Sequence, residues 1–240
     1  MLGRVPWLQR VEHVRHIGVV FGQRTQLWWD LPVIESFELL RHMYRVPEKR
    51  YRENLDTFND LLGLSSFFGT PVRQLSLGQR MRADIAAALL HDPDVLFLDE
   101  PTIGLDVVAK EKVREFVRAI NRERQVTILL TTHDLGDVEK LCERVIIIDH
   151  ARVVFDGRLE EIRRRFDSQR LLVVDFAEPY RDVSVPGAEL LESDGRRAAY
   201  RLGRDAVARV TADILTRFHV EDLAIRETEI EEIVRRLYVG

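Results

Sequence analysis

Residues 75–106 read LSLGQRMRADIAAALLHDPDVLFLDEPTIGLD, and a change of rhythm inside this stretch decides the fold. From Gly78 to Leu90 the apolar residues Met81, Ile85 and Leu89 recur at helical spacing, and the run ends before Pro93. Val95-Leu96-Phe97-Leu98 follows as a short, continuous apolar run closed by two carboxylates, Asp99 and Glu100. Such a run, bounded by Pro93 and Pro101, has the length and pattern of a fully buried strand. Working outward, Thr127–Thr131 and Val145–Asp149 are similar runs, with helical stretches between them, and VRHIGVVF at 14–21 reads as another strand. Near-continuous apolar strands alternating with helices predict an α/β fold with a mostly parallel sheet covered on both faces. Pro32 is suited to open a helix reaching about Tyr44. A second helix, about Glu48 to Leu62, carries Tyr51, Leu55, Phe58 and Leu62 on one face.

Val153–Phe155 is expected to pair with Val145–Ile148 as a hairpin, and Leu159–Phe166 to form a short amphipathic helix. Beyond Ser168 the order becomes strand, strand, helix, strand, helix. The strands are Leu171–Phe176, Ala198–Leu202 (entered by the turn Ser193-Asp194-Gly195) and Leu223–Ile225. The helices are Asp205–Phe218 and Thr228–Tyr238, the latter opened by the capping-box pattern Thr228-x-x-Glu231. The domain reading is 1–167 for the α/β part, with a helical subdomain at about 32–93, and 168–240 for a small α+β appendage.

With 240 residues, 45% of them hydrophobic, the chain can bury a substantial core. A net charge of -4 gives no polyanion-binding excess, so no nucleic-acid partner is expected. No apolar run approaches the length of a membrane span, and no secretion signal is evident. Cys142 is the only cysteine, which excludes an intrachain disulfide and suits a reducing, cytoplasmic setting. Its position predicts a buried thiol on an apolar helix face.

Carboxylates at the C-terminal end of a parallel strand face the crevice where such sheets bind ligands. Asp99 can hold Mg2+, directly or through water, and Glu100 can polarise a water for attack on a γ-phosphate. Read alone, the pair more simply begins a solvated turn before Pro101. His133 follows the strand at 126–132 and so reaches the same edge, where it can stabilise a γ-phosphate or serve the structure only. Gln23, after the 14–21 strand, can ligate magnesium and position water, or be a plain surface residue. Asp106 reads as a helix N-cap. Leu75-Ser76-Leu77-Gly78-Gln79, directly ahead of a helix, combines a hydroxyl, a glycine amide and a helix N-terminus. That set suits an anion, or a simple cap by Ser76.

Taken in order, Gln23, LSLGQ at 75–79, VLFLDE at 95–100, GLD at 104–106 and His133 resemble the ATP-binding cassette ATPases over residues 14 to about 167. In that resemblance they are the Q-loop, signature, Walker B motif with catalytic glutamate, D-loop and switch histidine. FGQRTQLWWDLPV and FLDEPTIGLDVVAKEKVREF look like cassettes that serve separate ABC-2-type export permeases, and LAIRETEIEEIVRRLY at 223–238 is similar to the ending of such cassettes. The resemblance implies a P-loop NTPase-like fold, ATP and Mg2+ as cofactors, and a homodimer or heterodimer with another cassette. It further implies a membrane permease as partner and a peripheral place on the inner face of the cell membrane. Glu100, His133 and Gln23 would act in catalysis, with Asp99 and Gln23 on the metal. Ser76, Leu77, Gly78, Gln79 and Asp106 would touch nucleotide. Trp28, Trp29 and Leu31 either abut the permease or seal the helical core.

Three features depart from the family pattern. Leu77 stands where the signature usually has a first glycine, and Gly22 is an extra residue ahead of Gln23. The third is the phosphate loop, which needs Gly-Lys-Ser or Gly-Lys-Thr so that amides and lysine can cradle phosphates. The four lysines, Lys49, Lys110, Lys112 and Lys140, each lack the preceding glycine and the following Ser or Thr. The expectation is an amino-terminally truncated form of a longer cassette, inactive by itself. The alternative is a cassette remnant without a phosphate loop, acting as a binding or regulatory partner.

Overall fold

Helix α1 (Arg10–Val14) is a short exposed helix whose last residue, Val14, was expected in a strand. His16 N–H closes a turn onto the His13 carbonyl, so strand β1 (Ile17–Phe21) starts only beyond it. The computed structural model describes residues 1–22, 24–166 and 169–227, which form two units, Met1–Leu141 and Cys142–Gly240.

In the first unit, α2 (Val33–Tyr44) begins one residue later than expected, because Pro32 takes the N-cap position and not the first helical one. Arg45 leaves it in the left-handed region at φ 57°. Pro47 introduces α3 (Glu48–Leu62), and Gly63 ends it at φ 63°, a conformation that costs glycine nothing. The expected α3 face is present: Tyr51, Phe58 and Leu62 are buried, and Leu55 packs against the same core. Asn54 is buried among them because its amide donates to the Leu90 carbonyl at 3.0 Å. Two short 3-10 turns, Leu64–Phe67 and Val72–Gln74, lead to α4 (Leu77–Leu89).

Strand β2 (Val95–Asp99), helix α5 (Val107–Arg124), strand β3 (Thr127–Thr131) and helix α6 (Leu135–Leu141) complete the unit. The sheet is parallel in the order β1-β2-β3, with Phe21, Asp99 and Thr131 in register at its C-terminal edge. One face packs on α4 so closely that a β-carbon on Gly18 would lie 2.4 Å from the Ala88 carbonyl oxygen. Val20, Leu96 and Leu98 on that face join Phe37, Phe58, Ile85, Leu89 and Phe116 in one core. The other face is not covered as expected: Val19 and Phe97 are half-buried, while Phe21 and Leu129 are 49% and 45% exposed.

The second unit opens with β4 (Arg144–Asp149) and β5 (Arg152–Arg158). They form the expected hairpin, in a two-stranded antiparallel sheet. β4 therefore does not extend the parallel sheet, contrary to the expectation. His150 and Ala151 both take left-handed conformations that fold it directly back onto β5. Helix α7 (Leu159–Phe166) follows, with Ile162 buried against Ile147. Cys142 lies just past the end of α6 and is half-buried, not on a helix face.

Strands β6 (Gln169–Phe176), β7 (Glu189–Ser193), β8 (Arg197–Gly203) and β9 (Val220–Glu227) form an antiparallel sheet in the order β7-β8-β6-β9. Helix α8 (Val207–Arg217) buries Val210 and Ile214 in its core, with Leu172, Val174 and Tyr200. Asp205, expected in this helix, belongs to a preceding 3-10 turn. β7 was not expected, because every one of its residues is exposed and no apolar alternation marks it. The turn at Gly195 is as read: Gly195 has φ 90°, and Asp194 Oδ1 accepts the N–H groups of Arg196 and Arg197. The expected helix at 228–238 lies outside the described residues.

Candidate active site

The C-terminal edge of the parallel sheet gathers three of the predicted residues. Asp99 ends β2 with its side chain on the open face, where Oδ1 accepts the Thr131 hydroxyl at 2.6 Å. Glu100 then turns sharply, at φ 51°, into a region that side chains other than glycine rarely occupy. Its N–H donates to the Thr131 carbonyl at 2.9 Å, so the turn is anchored to β3. Glu100 Oε1 accepts two bonds from the residue after that strand: His133 N–H at 3.0 Å and His133 Nδ1–H at 2.7 Å. The hydrogen bond to Glu100 and its negative charge both raise the pKa of the exposed imidazole above its ordinary value. At neutral pH the pair therefore has more imidazolium character than a free histidine would.

The glycine ahead of Gln23 has a clear task. Gly22 N–H donates to the Asp99 carbonyl at 2.7 Å. A β-carbon there would fall 2.4 Å from the Glu100 carbonyl oxygen and 2.9 Å from that of Asp99. The chain leaving β1 passes over the carboxylate turn only because residue 22 lacks a side chain. Gln23 itself lies outside the described residues.

The second group of predicted residues forms the entry to α4. Ser76 Oγ accepts Gln79 N–H at 3.2 Å, and Gln79 Oε1 accepts Ser76 N–H at 2.9 Å, a complete capping box. Leu77, the departure from the signature pattern, reaches toward Gly104. A β-carbon on that glycine, at φ 70°, would meet Leu77 Cδ2 at 2.9 Å. Gly78 lies against α5, where a β-carbon would come 3.2 Å from that of Ala109. Asp106 caps α5 by accepting Ala109 N–H at 2.8 Å. Thus 76–79 and 104–106 meet each other, while among the described residues no hydrogen bond joins them to Asp99, Glu100 or His133.

Sequence reasoning passed over a supporting network. Asp137 is fully buried and accepts the Thr102 hydroxyl and, at 2.6 Å, the Arg114 guanidinium. Asp134 accepts Lys110 at 2.5 Å. These bonds pin the loop after Glu100 and the segment after His133 to α5. The only signal in the sequence was the spacing of Asp134, just ahead of a short helix, and Asp137 within it, with Lys110 and Arg114 at i,i+4 on another, and that spacing does not pair them. Trp28 and Trp29 are 38% and 51% exposed, so neither seals the helical core.

The donor set fits part of a magnesium–nucleotide site. Mg2+ needs only one or two carboxylates, with water and phosphate completing its octahedron, and Asp99 offers an exposed carboxylate beside Glu100. The cradle for the phosphates is not matched: Lys110 and Lys140 are spent on Asp134 and Glu111, and no Gly-Lys-Ser/Thr occurs in these 240 residues.

A family model described as an AAA domain, putative AbiEii toxin, type IV TA system, matches residues 38–136. Another, the EvrA-like ABC transporter C-terminal domain, matches residues 168–226. The ABC transporter ATP-binding protein NatA of Bacillus subtilis is 31% identical over 176 residues, 73% of this chain and 71% of that protein. The Nod factor export ATP-binding protein I of Cupriavidus metallidurans is 34% identical over 201 residues, 81% of this chain but 65% of the relative. Among solved structures, a dimeric ATP-binding cassette in a post-hydrolysis state with ADP and Pi superimposes with a TM-score of 0.56 at 28% identity. That match covers 65% of this chain and 68% of the other. The carboxylate edge, the capped entry to α4 and these relatives together place the chain in the ATP-binding cassette family of ABC transporter ATP-binding proteins.

Proposed function

We propose that this chain carries the hydrolytic edge and the signature half-site of the ATPase of an ABC-2-type exporter, working as a cassette dimer on a separate membrane permease. The Glu100–His133 pair beside Asp99 is the observation that carries the reading. Magnesium-bound ATP supplies the γ-phosphoryl group. Asp99 holds the metal side of the site, while Glu100 takes a proton from the attacking water. Oε2 is the oxygen placed for that proton, because His133 occupies Oε1 and only a long 3.4 Å bond from the Thr132 hydroxyl reaches Oε2. His133 fixes the carboxylate in place and brings positive charge to the edge where negative charge builds up. Ser76, Gly78 and Gln79 present a helix N-terminus to the phosphates of the nucleotide held by the partner cassette. Gln23 would complete the metal and water contacts. The export name of the Cupriavidus relative and the exposed Trp28 and Trp29 support a permease at the inner membrane face. Residues 168–240 would then be an accessory domain.

The open sheet face supports a further part of the reading. Asp99 projects from the same face as Phe97 and Leu129, so a phosphate-loop segment packed there would lie beside the metal ligand. The 240-residue chain by itself is expected neither to bind ATP tightly nor to hydrolyse it. Joining the phosphate-loop segment of a related cassette ahead of Met1 tests the assignment. Turnover should appear, and Glu100→Gln should lower it by about 10²–10⁴-fold while nucleotide binding stays. A fusion that hydrolyses ATP equally well with Glu100→Gln would falsify the role given to that carboxylate.

A further inference from the structure

Helix α4 carries a single carboxylate on its buried side. Asp84 is 3% exposed, between Ala83 and Ile85, and a carboxylate taken out of water must be hydrogen-bonded. Its partners come from one short segment. Thr25 Oγ1 donates to Asp84 Oδ1 at 2.7 Å, and Gln26 N–H donates to the same oxygen at 3.1 Å. Gln26 Nε2 donates to the Asp84 backbone carbonyl at 3.1 Å, and Leu27 N–H to Thr25 Oγ1 at 3.1 Å. One helical turn earlier, the Arg80 guanidinium lies over the Trp29 ring, 5.8 Å from its centre. From α2, the buried Ser36 hydroxyl accepts Trp28 N–H at 3.3 Å.

We infer that Asp84, assisted by Arg80, is a positioning residue that clamps the loop after β1 to α4, the helix whose first turn is Ser76–Gln79. The loop begins beside the carboxylate turn, through Gly22, and ends at the exposed tryptophans. Opening it would leave the Asp84 carboxylate buried without donors, so loop and helix move together. A push on Trp28 or Trp29 is thereby delivered to the α4 entry rather than absorbed in the loop. The inference rests on the proposed function only for what such a push accomplishes. The clamp itself is measured without turnover, so the two fail separately.

Amide hydrogen exchange of the 240-residue chain tests it, followed at Gln26 and Leu27, with urea unfolding recording global stability. Asp84→Ala removes the acceptor, and Thr25→Val removes one donor while keeping the shape. Loss of a hydrogen bond to a charged acceptor should accelerate exchange at these amides about tenfold or more, with the rest of α4 little changed. Asp84→Asn retains an oxygen at the Oδ1 position and should restore protection, which a residue that merely fills space would not require. If Asp84→Ala does not fold, Thr25→Val decides alone, since it alters no core residue. Unchanged exchange at Gln26 and Leu27 in folded Thr25→Val protein overturns the clamp, as does acceleration spread evenly over α3, α4 and α5.

Discussion

Glu100 is held in a left-handed conformation that costs a non-glycine residue about 1–3 kcal/mol, and its neighbours determine whether that geometry survives. Gly22 is the most exacting of them. Gly22→Ala should destabilise the first unit by about 1–3 kcal/mol through overpacking against two carbonyl groups. The measurement is the urea midpoint, and an unchanged midpoint would mean the strand end has room to shift. Asp84 gives a prediction of a different kind. Burial, opposed by the bonds from Thr25 and Gln26 and by the field of Arg80, pushes its pKa from 3.8 up to about 6. Because the folded value lies above the unfolded one, its contribution to stability is complete below about pH 4 and is lost as pH rises through 6. Asp84→Asn does not titrate. The stability of this variant relative to the parent should therefore rise with pH, by on the order of 3 kcal/mol between pH 3 and pH 7. Parallel urea curves for the two proteins at both pH values check this, and a gap independent of pH would contradict it. His133 runs in the same direction: because its pKa is raised, what the Glu100 contact contributes is present below the ordinary histidine value and is lost as pH climbs through the raised value.

At the level of elements, the sequence was most legible where periodicity and punctuation agree. Helix α3 matches its expected bounds, because Pro47 and Gly63 bracket a face of Tyr51, Phe58 and Leu62. The four-residue run before Asp99 became β2 as read, and the hairpin of β4 with β5 was visible in two short apolar runs. What was not legible depended on pairing. β4 has the apolar run of a central parallel strand, yet tight left-handed turn residues send it into an antiparallel pair. β7 has no buried face to announce it and exists because β8 offers an edge. Within the site, Asp99, Glu100 and His133 could be placed together from strand ends alone. Asp84 and Asp137 could not, because their partners are remote in sequence. Leu77 is explained only in three dimensions, by the space that Gly104 leaves. The α4 entry supports a prediction at this scale. Ser76→Ala removes one half of a capping box and should cost about 0.5–2 kcal/mol, read from the thermal or urea transition. A loss within error would mean that Gln79 and water satisfy the first turn without the hydroxyl.

Over the whole first unit, coverage of the sheet is lopsided, and this has a physical consequence. α4 and the helices around it seal one face down to Gly18, while the opposite face leaves Phe21 and Leu129 about half exposed beside half-buried Val19 and Phe97. Within the described residues β1 and β3 are also the edges of the sheet; the Ile17 and Phe21 carbonyls of β1 accept His91 Nε2–H and Arg24 N–H, which leaves β3 the more open edge. An apolar sheet face beside an open edge strand is a template for association. The 240-residue chain in solution should therefore bind a hydrophobic dye strongly and form oligomers that grow with concentration. Leu129→Lys places a charge at the centre of an edge strand on that face, far from the α4 core, and should reduce both signals without lowering the unfolding midpoint. Light scattering coupled to size exclusion gives the mass, and dye titration reports the exposed surface. If the parent chain stays monomeric and dye-silent up to high concentration, the open face is covered in solution by some part of these 240 residues. The phosphate-loop segment would then have no free surface beside Asp99 on which to pack.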